Sequence, residues 1–193
     1  MKNKLMAFSA AIIMALSLAA CTADKKEGPT EPQKERKTYT EQVDNMIDGI
    51  LALVEDEYLP QMNVYNEQIT AETCEFLIGL KPDVFSEKID VAFENKTPMT
   101  WNPYSTCMIR VKEGVDAVTL ADQIRKEANP ARFGCLRAGT IYTAVYDGCI
   151  LLFEGDEDLG TKIFEAFKTY YEAPSAERTI RENDWTINFG DLG

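Results

Sequence analysis

Thr140-Ile141-Tyr142-Thr143-Ala144-Val145-Tyr146 and Cys149-Ile150-Leu151-Leu152-Phe153, joined by Asp147-Gly148, form the stretch that decides the fold. Both flanks are rich in β-branched and aromatic residues. The dipeptide between them accepts the positive φ angles of a two-residue hairpin turn. Pairing across that turn puts Ile141, Thr143, Val145, Ile150 and Leu152 on one face. Tyr142, Ala144, Tyr146, Cys149, Leu151 and Phe153 take the other. Both faces are largely apolar, so the hairpin needs cover on both sides.

Working outward, residues 158–171 read as a helix with Ile163, Phe164, Phe167 and Tyr170 inward. Residues 116–127 read as another, with Val118, Leu120, Ile124 and Ala128 near its apolar side and Asn129-Pro130 ending it. Before it, Tyr104 to Lys112 alternates as a strand with Cys107, Ile109 and Val111 on one face. Ile89, Val91 and Phe93 alternate in the same way. Two helices are expected earlier. One spans residues 39–58 with a stripe of Val43, Met46, Ile47, Ile50, Leu51 and Val54, capped by Thr40 and closed by Pro60. The other spans residues 70–80 and is ended by Gly79 and Pro82, with a short extended segment near Met62 to Tyr65 between the two. Residues 173–193 read as a loosely held tail with a short strand at Trp185 to Phe189. The order is α-α-β-β-α-β-β-α. It predicts an α+β fold, an antiparallel four-stranded sheet with packed helices.

The series Asp90-Val91-Ala92-Phe93, Met108-Ile109-Arg110-Val111-Lys112-Glu113-Gly114, Val115 to Lys126 and Asp147 to Phe153 resembles a family of small bacterial lipoproteins. That family is catalogued as domain of unknown function four-three-five-eight. The resemblance covers roughly residues 72–172 and rests on element order and on the strand ending Val-Lys-Glu-Gly. It implies a lipoprotein signal and a polar linker, and carries no catalytic or ligand residues.

Such a signal stands at residues 1–20. Lys2 and Lys4 supply the basic start, and Leu5 to Leu18 is uncharged and too short for a comfortable membrane span. Leu18-Ala19-Ala20-Cys21 has the lipobox pattern, in which the cysteine thiol accepts diacylglycerol and becomes the first mature residue. An ordinary secretory signal is the alternative. Acyl chains of the palmitate type on Cys21 suffice for stable anchoring. Residues 21–38 then form a polar linker with a root-mean-square span of roughly 20–25 Å. Residues 39–193 form one globular domain, expected outside the cytoplasm and close to the membrane that holds the anchor.

Composition narrows the chemistry. From Tyr39 onward there are 13 basic and 28 acidic residues, a net charge of −15, which repels nucleic acid. Histidine is absent, which excludes Ser-His-Asp and Cys-His catalysis in their usual forms and imidazole-held zinc. No phosphate-cradling glycine motif occurs, and no cofactor is implied. Cys74, Cys107, Cys135 and Cys149 allow two disulfides with three connectivities, or four thiols acting as small hydrophobes. The second is favoured because three of them fall on apolar faces.

Two clusters merit testing. Glu154, Asp156 and Asp158 have the first spacings of a calcium loop, with Glu165 at its twelfth position. Leu159 nevertheless stands where the sharp turn needs glycine, and acidic capping of a helix start is the simpler reading. Trp101 and Tyr104, with Tyr65, are candidate ligand contacts lining a groove; rings folded back onto the core are the alternative. The chain is expected to be a tethered, non-enzymatic binding or interaction module for a protein or small-molecule ligand. A histidine-free hydrolase using paired carboxylates is the alternative, and it requires two carboxyl groups facing a pocket, one of them buried.

Overall fold

The hairpin forms as the sequence dictates. In the computed structural model, which describes residues 43–60, 64–97 and 102–181, β4 (Thr140–Tyr146) and β5 (Cys149–Gly155) pair antiparallel across Asp147 and Gly148. Both turn residues have positive φ, 48° and 75°. The remaining elements are α1 (Val43–Leu51), β1 (Tyr65–Gln68), α2 (Cys74–Ile78), α3 (Pro82–Lys88), β2 (Ile89–Lys96), β3 (Ser105–Val111), α4 (Ala117–Glu127), α5 (Glu157–Tyr170) and β6 (Arg178–Ile180).

The class is α+β. The sheet has six antiparallel strands, ordered β1-β2-β3-β5-β4-β6, where four were expected. The two additions are its edges. Neither Tyr-Asn-Glu-Gln nor Arg-Thr-Ile shows an apolar alternation, and each is held by backbone pairing to a strand with a stronger signature of its own. Residues 173–181 are thus not a loose tail throughout: Arg178–Ile180 pairs with β4, and Ala173 is buried. The expected strand at Trp185 to Phe189 and the Thr40 cap lie outside the described residues.

Pro82 does not merely end a helix. It occupies the first turn of α3, where a missing N–H costs nothing and φ is already set. Gly79 separates α2 from it at φ 74°, the left-handed closing position that glycine adopts without strain. The first helix stops at Leu51, because Leu53 and Val54 switch to bonds three residues back, to Ile50 and Leu51. Val54 still reaches the core from that turn. Asp116 and Asp156 cap α4 and α5, each side chain accepting two backbone N–H groups.

Helices cover both faces, as the two apolar sides of the hairpin require. On one face α1 and α5 pack over Met108, Leu151, Tyr142 and Phe153, with the last two rings stacked at 5.3 Å. On the other, α2, α3 and α4 cover a core containing Cys107, Ile109, Ile141, Ile150 and Leu152. Each large apolar side chain so buried contributes about 1.5–3 kcal/mol. One irregularity matters for function. Ile89 opposes Val111, but Val91 opposes Arg110, so a bulge shifts the phase of β2. Beyond it Ala92 and Glu94 point into the α2/α4 side, and Val91 and Phe93 are not part of that core.

Candidate functional site

The bulge and the hairpin register bring two distant carboxylates together. Glu94 opposes Cys107 on β3, and Glu154 opposes Ser105, one step along the same face. Both glutamates have zero exposure. Arg132, from the loop between α4 and β4, lies between them with its side chain 5% exposed. Its Nε donates to Glu154 Oε2 at 2.7 Å, and a terminal nitrogen contacts the same oxygen. That nitrogen also lies 2.8 Å from Glu94 Oε1, and the guanidinium sits 4.5 Å from the Phe133 ring centroid. Ser105 Oγ donates to Glu94 Oε1 at 2.7 Å. Lys96 Nζ is 3.5 Å from Glu94 Oε2 and bridges outward to the exposed Glu67.

The balance of this cluster is uneven. Glu94 has Ser105, Arg132 and Lys96, whereas Glu154 rests on Arg132. Glu94 Oε2 and Glu154 Oε1 have no hydrogen-bond partner among the described residues. Burial pushes the Glu154 carboxyl up to about 7 against the pull of Arg132, and the nearby Glu94 charge adds to the rise. The Arg132 guanidinium is pushed up by Glu154 and Glu94, against the larger opposing effect of its own burial taken singly. The Cys107 thiol, also in this cluster, is held far above the usual thiol range by burial, so it stays protonated.

These placements decide between the readings that the sequence left open. Glu154 cannot begin a calcium loop, since its side chain is turned inward onto Arg132 and Asp156 is spent on the α5 cap. Asp158 lies exposed in the first turn of that helix. Among the described residues no group of three or more such side chains is placed to hold a metal ion. Tyr104 is 3% exposed, and its hydroxyl donates to Asn95 Oδ1 at 2.8 Å. Asn95 passes the chain to Asn66, and Asn66 to Asp48 of α1. Tyr104 is therefore a polar tie within the α1 side of the sheet, and burial holds its phenol well above the usual range. Tyr65 is 44% exposed and opposes Lys96, which places it on the opposite face from Asn66 and Tyr104. The two tyrosines cannot line one groove, and Trp101 lies outside the described residues. Cys74, Cys107 and Cys149 are buried free thiols, and Cys135 is an exposed one.

A groove of about 420 Å³ does open elsewhere, between α4 and the β4/β6 edge. Val118, Ala121, Asp122, Thr143, Tyr146 and Glu177 are among the residues that line it. Val118 is 62% exposed despite its place in the α4 apolar pattern. Arg125 fixes the floor, donating to Asp122 Oδ1 at 2.7 Å and to Thr143 Oγ1 at 3.2 Å. Sequence reasoning missed this site because it depends on β6, which has no apolar signature.

Compared with protein-family profiles, with curated proteins and with solved structures, the chain gives no match.

Proposed function

We propose that this chain is a membrane-tethered extracytoplasmic lipoprotein, anchored through diacylglycerol on Cys21, that binds a ligand in the groove between α4 and the β4/β6 edge. The observation that carries the binding reading is that groove. It combines solvent-exposed Val118 and partly exposed Val145 with the Thr143 hydroxyl and the Asp122 and Glu177 carboxylates. An exposed apolar lip over a polar floor fixed by Arg125 suits a ligand with one apolar part and neutral or cationic polar groups. The net charge of −15 on residues 39–193 disfavours an anionic one. The tethered location is supported by the Leu18-Ala19-Ala20-Cys21 pattern and the polar linker, in keeping with the resemblance to the small lipoprotein family.

The hydrolase reading meets a specific obstacle. Its best carboxylate pair, Glu94 and Glu154, is joined through Arg132 and has no solvent exposure, while an acid–base pair must come within hydrogen-bond reach of its substrate. The test is a photo-crosslinking residue placed at Val118 of the full chain in intact cells, with the same residue at exposed Lys126 of α4 as control. Adducts specific to position 118 are expected. Equal or absent labelling at both positions rejects the groove as a binding site. Labelled palmitate incorporated by the wild-type chain and lost in Cys21→Ser tests the anchor.

A further inference from the structure

We propose that Glu154 is a proton-binding site whose occupancy controls how firmly the loop of residues 129–139 is held against the sheet. The inference is independent of the chain's location and of the groove. It starts from a count of charges and partners in a volume closed to water. Glu94 and Glu154 share one buried guanidinium, and Lys96, a quarter exposed, reaches Glu94 Oε2 at 3.5 Å, so Glu154 has no cation of its own when both carboxylates are ionised. Each glutamate also has an oxygen with no hydrogen-bond partner among the described residues. A buried acceptor without a donor is costly, and a buried unbalanced charge more so.

One proton from solvent relieves both problems. Added to Glu154 Oε1, it removes a buried charge that has no cation of its own and converts an orphan acceptor into a donor. The asymmetry of partners places the proton. Glu94 has the Ser105 hydroxyl and the Lys96 ammonium beside it, whereas Glu154 has Arg132 and the longer-range field of Arg181. Among the described residues the Cys107 thiol and the Tyr104 phenol also act on the cluster, and burial keeps both protonated throughout the range considered.

Arg132 belongs to the loop and both carboxylates belong to the sheet, so the cluster is a tie between the two. Gly134 at φ 74° turns the loop just beyond Arg132, and Pro130 O accepts from Ala138 N to close its base. Opening the loop exposes Glu154 to water, where a glutamate releases its proton at about 4.3. The closed form holds the proton up to about 7. Closure is therefore favoured at acid pH. The advantage shrinks as pH rises toward 7 and is gone above it.

Hydrogen exchange of the full chain in detergent micelles, corrected for intrinsic rates, reads this directly. Protection of residues 129–139 is expected to fall by roughly tenfold per pH unit from 5 toward 7, then level off. In Glu154→Gln, which is neutral at every pH, protection should not vary with pH. Carboxyl-carbon resonances of the wild-type chain supply a readout that needs no variant. Glu154 should titrate near 7, and Glu94→Gln should move that midpoint down. A Glu154 midpoint below about 5, or wild-type protection that is flat with pH, overturns the proposal.

Discussion

Arg132 and Glu154 stand 22 residues apart in the chain, yet Arg132 Nε donates to Glu154 Oε2 at 2.7 Å. The contact joins a loop to the middle of a sheet at a point shielded from solvent. Its partner Glu94 arrives from a third segment, so one guanidinium serves two buried carboxylates. Removing one member of such a group leaves the others uncompensated, which costs more than the intact group contributes.

Replacing Arg132 with methionine is therefore expected to destabilise the domain by about 3–5 kcal/mol. At pH 8, where Glu154 must stay ionised without its cation or take up a proton, adding Glu154→Gln to that variant should recover part of the loss. Urea denaturation of the wild type, both single variants and the double variant measures this coupling. Strict additivity would show that Arg132 and Glu154 do not interact energetically.

Stability should also depend on pH in a defined direction. The folded-state value of Glu154 is raised from 4.5 to about 7, so the folded chain holds a proton that the unfolded chain releases. Its contribution is fully present below about 4.5 and declines as pH rises to about 7, by roughly 3 kcal/mol in all. Above 7 the effect of this group is flat. Denaturation midpoints for the wild type at pH 5 and pH 8 should differ by more than those of Glu154→Gln.

Tyr104 and Tyr65 should behave oppositely. Tyr104→Phe leaves the Asn95 amide oxygen without its buried donor, at an expected cost of about 1–3 kcal/mol. Tyr65→Phe, at an exposed position, should stay within about 0.5 kcal/mol of the wild type. Thermal melts of the two variants separate a structural tyrosine from a surface one.

Gly79→Ala places a Cβ 2.5 Å from the Glu127 carbonyl carbon in a backbone with φ 74°. Strain and the clash with the end of α4 together predict a loss of about 2–3 kcal/mol. Gly114→Ala has a similar φ, 81°, and open space around the new methyl, so it should cost less. Comparing the two melts isolates the packing contribution of the α2–α4 contact.

Much of this was legible locally. The Asp147-Gly148 turn, the two apolar faces of its strands and the helices at residues 116–127 and 158–171 follow from residues a few positions apart. Glu154 also left a trace: it is in phase with Ile150 and Leu152 on a covered strand face, a place that demands a cation. Glu94 left none. Its phase is set by the bulge between Ile89 and Val91, which neither residue announces. The aromatic groove failed for a similar reason, since only the β1–β2–β3 register shows that Tyr65 and Tyr104 lie on opposite sides of the sheet.

By itself, the sequence determined the central strands and four of the five described helices, because hydrophobic period and turn chemistry act over a few residues; α3, which buries no residue, gave no such signal. It also set an acidic body behind an expected lipid anchor. Tertiary structure alone decided which carboxylates share Arg132, which edges complete the sheet and where the groove opens. Those depend on register between segments tens of residues apart. A register is chosen by the summed burial of whole strands, so no single stretch of the chain encodes it.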